Sequence, residues 1–329
     1  MKRLFVKCFL FALLLMIADL ALGPVLSKWV QSRASDRRVG EIFTGQMQYD
    51  ALVFGSSRAA RNIVAAQIEE QIGLTSYSLG LPGSNIDFHA QLLDFVVNSG
   101  QAPKLVLLAV DPTELIADAS INFRFDVLYP YAGIEEVRKV LSGREQLNDG
   151  LSRLSAVYRE KHGVLEAFRP HKLLSSGVDP LNNIYPDGSM PIDGKSITYE
   201  KMSYGKKKVV YSKARESAYL RERFAHFIKT CAQYKIQLVV VISPAFGEPI
   251  QGFYQRMIDV AGDGVVYLDY SRHPQFKEKK LYYDSIHLNK EGGYLLSKQM
   301  GQDLNALLHD PKKRTERQSH WRSDATPRE

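Results

Sequence analysis

Cysteine is nearly absent from this chain, with two residues in 329, Cys8 and Cys231. One lies in an apolar N-terminal run and the other in a helical pattern, so they are not expected to pair, and a disulfide-stapled fold is excluded. Histidine and cysteine nowhere cluster at ligand spacing, which leaves no metal site and no cofactor to assign. A phosphate-binding reading of the turn Gly55–Arg58 lacks the longer glycine loop and the lysine of a P-loop. Internal repeats are missing as well. The formal charge of +7 is partly carried by the tail 310–329, which holds Lys312, Lys313, Arg314, Arg317, Arg322 and Arg328 and almost no apolar residues. That composition predicts a disordered, solvated end. It lacks interleaved aromatics or a recognisable module, so nucleic acid is not the expected partner, whereas anionic lipid or an acidic polymer fits.

Long hydrophobic runs are also scarce, and the exception is informative. Lys2, Arg3 and Lys7 precede an apolar stretch from Cys8 to Ser27 that only Asp19 interrupts. This is the length of a bilayer span. Three readings compete: a retained signal anchor, a signal peptide cleaved near Ala18–Leu20 or Ala21–Gly23, and a buried core helix. The run is long for a signal peptide and poor at the cleavage site, and it has little amphipathic periodicity for a core helix. Lys28, Arg33, Arg37 and Arg38 follow it, so flanking charge does not set its orientation. An N-terminus left in the cytoplasm is expected because the alternative exports a short tail with three positive charges. Residues 1–29 are therefore expected to form a single-pass signal anchor and 30–48 a juxtamembrane connector, with residues 30–329 outside the cytoplasmic membrane.

Beyond residue 48, short apolar runs alternate with helical patterns. Strands are predicted at 51–56, 76–79, 104–110, 236–242 and 264–269, each apolar enough to be buried on both faces of a parallel sheet. Helices are predicted at 59–72, 85–98, 214–234 and 290–308. This alternation implies an α/β fold over 49–309, a three-layer α/β/α sandwich with a five-stranded parallel sheet. The interval 114–213 breaks it, with helix candidates at 133–142 and 146–168 and a Gly/Pro/Asp-rich loop from Leu181. It is expected to be an insertion that caps the strand ends. Its aromatic residues Phe123, Phe125, Tyr129 and Tyr131 are expected to pack inside that cap rather than line a groove. Lys206–Lys207–Lys208 reads as a solvated turn.

Loops at the carboxyl ends of parallel strands gather into binding sites. Ser57, Gly80, Asp111 and the pair Asp284/His287 all fall there or in the final loop. The run Leu52–Val53–Phe54–Gly55–Ser56–Ser57 presents a serine at a sharp strand-to-helix turn. Asp284, three residues before His287, can hold one imidazole nitrogen while the other faces Ser57. Arg61 and Arg58 are candidates for an anionic substrate, or for a solvated face. His89 and His226 sit within helical patterns and are expected to be structural or exposed.

Gly55–Ser56–Ser57, Ser78–Leu79–Gly80–Leu81–Pro82–Gly83 and Asp284-x-x-His287, in this order, resemble the SGNH (GDSL-like) hydrolase superfamily. The likeness is to its membrane-anchored bacterial members linked to cell-envelope or exopolysaccharide modification. It covers about 50–112 and 214–308. It implies a sheet in flavodoxin-like order, Ser57 as nucleophile, His287 as base, Asp284 as its partner, and the N–H groups of Arg58 and Gly80 in an oxyanion hole. Ser56 stands where the family has Asp. The family's Gly-x-Asn-Asp after the third strand is replaced by Val110–Asp111–Pro112–Thr113–Glu114, so its amide donor is missing. An ionised Asp111 beside an oxyanion would oppose catalysis, so it is expected to point elsewhere, with Asn85 as a substitute donor and Asp111 and Arg61 as substrate contacts. The resemblance implies an extracytoplasmic serine esterase or O-acyltransferase for acylated glycans or other envelope esters, with envelope polysaccharide biosynthesis proteins as partners. The rival reading is a non-catalytic glycan-binding or assembly component of the same fold.

Overall fold

The computed structural model describes residues 1–34, 36, 38–117, 122–168, 183–205, 208–262 and 265–309. The tail 310–329, Lys206 and Lys207, and the start of the Gly/Pro/Asp-rich loop lie outside these residues. In chain order the elements are α1 (Lys2–Ser32), α2 (Arg38–Phe43), β1 (Ala51–Gly55), α3 (Ser57–Asn62), α4 (Ala65–Ile72), β2 (Ser76–Ser78), α5 (Ile86–Asn98) and β3 (Leu105–Ala109). Next come α6 (Phe125–Leu128), α7 (Glu135–Gly143), α8 (Asp149–Leu154), α9 (Ala156–Phe168), α10 (Ala218–Gln233), β4 (Gln237–Ile242), α11 (Phe253–Ala261), β5 (Val266–Asp269) and α12 (Lys290–His309).

The chain divides into two units. One comprises Met47–Phe123 and Leu174–Glu329, the other Met1–Gln46 and Arg124–Leu173. The first is the α/β fold. Its five strands are parallel and ordered β2-β1-β3-β4-β5, the flavodoxin order, with Val53 level with Ser78 and Leu107, and Leu107 level with Val239. Strand side chains alternate between two apolar layers. Val53, Leu107, Val241 and Leu268 join Ile63 just after α3, Ile68 of α4, and Leu296, Met300 and Leu304 of α12 in one core. On the opposite face Phe54 meets Phe227 of α10 edge to face, at 5.5 Å between ring centres. Both faces are dry, which is why the strands read as continuous apolar runs rather than as alternating ones.

Two predicted helices are broken. The pattern over 59–72 is interrupted at Ile63 and Val64, both extended, and Val64 N–H donates to Ser297 Oγ of α12 at 2.7 Å instead of continuing the helix. Apolar spacing cannot report such a break, because Ile63 and Ile68 keep facing the same core. Likewise 146–168 divides at Ser155, whose hydroxyl accepts from Tyr158 N–H as α9 begins.

The expected insertion is not one body. Its part from Arg124 onward groups with the N-terminal helix, while residues from 183 onward belong to the α/β unit. Residues 30–48 are likewise folded rather than a connector: α1 runs on to Ser32, and α2 buries Val39 and Ile42. Arg38 is buried on Asp36 through paired hydrogen bonds. Gly40 lies so close to Tyr131 that a Cβ there would sit 2.6 Å from the ring. Tyr129 stacks between Phe125 and His162, and in the other unit Phe123 packs on Phe88. These contacts agree with aromatic packing in place of a lined groove.

Candidate active site

Gly55 makes the turn that presents the serine. Its φ is 141°, and a Cβ there would fall 2.5 Å from the Ala109 carbonyl oxygen and 2.7 Å from Ala59 Cβ. Only glycine fits both the conformation and the space. The chain then enters α3 with Ser57 as its first residue, at the carboxyl end of β1, which lies between β2 and β3 in the sheet.

Ser57 Oγ lies 2.8 Å from His287 Nε2, and His287 Nδ1 lies 2.9 Å from Asp284 Oδ2. A carboxylate only accepts, so Nδ1 carries the proton, and Nε2 is left to accept from the Ser57 hydroxyl. Burial pushes the Asp284 carboxyl up. The hydrogen bond and charge of His287, with the N–H groups of Ile286 and His287, outweigh that push and hold it below the usual range. His287 is itself buried, with 6% of its surface exposed.

The loop bearing this pair is held from several sides. Tyr283 N–H donates to the His287 carbonyl at 2.9 Å and Asn289 N–H to that of Leu281 at 3.0 Å, closing the turn. Asn62, at the end of α3, accepts from Leu288 N–H at 2.9 Å and donates to Ser243 Oγ at 2.8 Å. One buried amide therefore ties the nucleophile helix, the histidine loop and the end of β4 together. The segment from 187 to 196 fastens the same elements, through Met190 N–H to the Ala60 carbonyl, Ser196 N–H to that of Tyr283 and Lys290 N–H to that of Ile192. Asn62, Ser243 and this segment went unrecognised in the sequence because each acts through a long-range contact.

Asp111 is turned onto an internal partner. Its carboxylate accepts from Arg58 Nη1 at 3.0 Å and from Ser56 Oγ, while Arg58 Nη2 donates to the Ser243 carbonyl at 3.0 Å. Both side chains are about nine-tenths buried. Ser56 thus serves Asp111, and the Arg58 side chain serves the scaffold. Behind it, Glu114 accepts from Asp111 N–H and sits 3.2 Å from His89 Nδ1 in full burial, which pushes its carboxyl up despite the histidine.

The remaining candidates are dispersed. Gly80 packs under α3, where a Cβ would fall 2.5 Å from Ala60 N, and its N–H faces Ser78 Oγ at 3.3 Å. Asn85 is the N-cap of α5, accepting from Phe88 N–H. Arg61 is half-buried in the last turn of α3. None of these three lines the cavity at Ser57, whereas Gly83 does. His89 bonds Ser84 Oγ and His226 bonds Asp94, both as scaffold contacts.

That cavity has a volume of about 590 Å³. Ser57, Arg58 and Asp111 form one wall, Ile242, Pro249, Ile250 and Phe253 supply an apolar wall, and Asp269 and Arg272 bring polar groups. Burial raises the Asp269 carboxyl, against hydrogen bonds from Ser271. Among the described residues no cluster of three or more His, Cys, Asp or Glu is placed to hold a metal ion.

The lowered carboxyl of Asp284 has a signed consequence. Its contribution to stability is present above the unfolded value of 3.8 and is lost as pH falls through the lower folded value. The stability gap between the wild-type protein and Asp284→Asn is therefore expected to be wide at neutral pH and to close below pH 3.8. Urea midpoints at neutral and strongly acidic pH read this directly, and a gap independent of pH would contradict it.

No protein-family model matches the chain, and no curated protein matches it.

Proposed function

We propose that this chain is a membrane-anchored serine esterase or O-acyltransferase of the SGNH type, acting on acylated glycans or other cell-envelope esters. The observation that carries this reading is the continuous relay from Ser57 through His287 to Asp284. His287 Nε2 takes the hydroxyl proton as Ser57 Oγ bonds to the ester carbonyl carbon, and Asp284 steadies the resulting imidazolium. The carbonyl oxygen gains charge and is received by the Arg58 backbone N–H, next to the nucleophile. Collapse breaks the ester C–O bond, and the leaving alkoxide takes the proton back from His287. Water or a sugar hydroxyl, deprotonated by the same imidazole, then attacks the acyl-enzyme and releases Ser57. Because Asp111 is neutralised by Arg58, the acidic replacement of the family's amide does not oppose the developing oxyanion.

The apolar wall of Ile242, Pro249, Ile250 and Phe253 suits the acyl chain, and the polar side suits a glycan. α1 is long and apolar enough to cross a membrane. We place its N-terminus in the cytoplasm and the α/β unit outside. Retention of α1 is supported by packing, since Asp19, Gly23, Ser27 and Val30 all meet α9 or residues beside it. A second reading, a non-catalytic glycan-binding component, is favoured by one feature: Gly80 N–H faces Ser78 Oγ and no side-chain amide stands in the place of Asp111.

The test is product analysis with the full chain in detergent, using an acetylated or longer-acylated oligosaccharide with and without an unacylated acceptor. Free acid released without acceptor identifies an esterase, and acyl transfer to the acceptor identifies a transferase. Neither product, together with no labelling of Ser57 by a fluorophosphonate, would overturn the catalytic reading and leave the binding one.

A further inference from the structure

An acidic residue in an apolar helix needs a partner, and in this chain the partner is a second helix. Asp19 accepts from Ser155 Oγ at 2.8 Å and from the N–H groups of Ala156 and Val157 at 2.6 and 3.0 Å. The start of α9 thus caps itself on a carboxylate carried by α1. From there the two helices run side by side in the same direction. A Cβ on Gly23 would fall 2.5 Å from that of Ala156, Ser27 donates to Glu160 at 2.6 Å, and a Cβ on Gly163 would fall 2.6 Å from Val30. Trp29 and Phe168 meet at 5.4 Å between ring centres.

The height of this contact along α1 is what matters. Exposed apolar side chains of α1 run from Leu4 to Val25, roughly 31 Å at the helical rise per residue. A bilayer's hydrocarbon core is about 30 Å thick. Asp19 and Gly23 lie within the last 9 Å or so of that apolar length. The elbow between α8 and α9 is therefore level with its C-terminal end. At this level Leu22 and Val25 of α1 are open, and so are Leu151, Leu154 and Val157 at the elbow, Leu154 being 76% exposed. The apolar band of the spanning helix thus continues sideways across a second element. The charges beside it are matched: Arg138 and Arg153 both bond Glu135 and Asp149, and Lys139 reaches Glu135.

We infer that the α8–α9 elbow is a second membrane contact, sunk into the leaflet at the C-terminal end of α1, with Leu151, Leu154 and Val157 among the acyl chains. Interfacial helices bury their apolar face about 5–10 Å into this boundary. The inference rests on α1 spanning the bilayer. The unit made by α1 and α9 is then a two-point anchor, in which lipid covers the elbow and Asp19 is shielded by α9 rather than exposed to hydrocarbon.

The experiment uses the full chain carrying Cys8→Ser, with Cys231 left buried in α10. Single cysteines at Leu154, at Leu14 in α1 and at exposed Lys229 of α10 are labelled with bimane. Each protein is placed in phosphatidylcholine–phosphatidylglycerol vesicles containing nitroxide lipids at shallow or deep acyl positions. The Leu154 label is expected to be quenched at least about twofold more by shallow than by deep nitroxides. The Leu14 label should be quenched most by deep ones, and the Lys229 label by neither. Quenching at Leu14 with none at Leu154 would overturn the elbow inference and leave the anchor standing, and it would assign the apolar elbow to a protein partner or a second copy. No quenching at either would overturn the membrane reading of α1 itself.

Discussion

Ser57→Ala and His287→Ala are each expected to lower ester turnover by about three orders of magnitude or more, leaving the fold unchanged. The expectation follows from the relay geometry. Without Oγ there is no atom to form the acyl-enzyme, and without Nε2 the hydroxyl 2.8 Å away has no base. The two losses should not add, because each removes the same chemical step. A Ser57→Ala/His287→Ala double variant is therefore expected to be about as slow as either single one. Initial rates on an activated acetyl ester, with far-UV circular dichroism as the check on folding, measure this. Full turnover in folded Ser57→Ala would place the chemistry elsewhere. Additive losses in the double variant would mean that the serine and histidine act in separate steps.

Arg58→Ala is expected to destabilise the α/β unit by about 3–5 kcal/mol. Arg58 and Asp111 are both about nine-tenths buried, and each is the other's charge partner. Removing the guanidinium strands a carboxylate with only Ser56 to answer it, and also frees the Ser243 carbonyl. The temperature midpoint should fall by roughly 10 °C for a domain of this size. Arg58→Met combined with Asp111→Leu should recover much of that loss, since an apolar pair of similar volume avoids the cost of burying charge. Scanning calorimetry of the wild-type protein, Arg58→Met, Asp111→Leu and the double variant closes the cycle, with Arg58→Ala measured beside them. A drop of less than about 1 kcal/mol in Arg58→Ala would show that the pair is solvated through the cavity it lines.

Activity separates the two roles of this residue. The backbone N–H of position 58 survives any side-chain change, so the double variant should keep measurable turnover if the guanidinium serves the scaffold. Loss of turnover in a stable double variant would move the Arg58 side chain into the substrate site.

Much of the fold was legible along the chain, because strands buried on both faces leave continuous apolar runs that differ sharply from the helices between them. β1, β3, β4 and β5 lie within those runs, and α3 opens at Ser57, two residues ahead of the helix expected from 59. The serine turn was legible for a local reason: Gly55 is followed at once by the residue it presents. Asp284 and His287 were legible because three residues separate them, so one tight turn brings both into line.

What the chain alone could not decide was every relation between distant residues. Apolar spacing over 59–72 is unchanged by the break at Ile63, beside which Val64 N–H turns to Ser297 of α12. That Asn85 caps α5 through its Oδ1 and that Gly80 N–H faces Ser78 Oγ are likewise visible only in the folded chain. Asp111, expected as a substrate contact, meets its charge partner Arg58 only in the folded chain. Local sequence determines which conformation a turn or strand adopts, because sterics and side-chain burial act over a few residues. Which polar groups satisfy one another in the dry interior is decided by the tertiary structure, since that pairing depends on side chains the chain order keeps far apart.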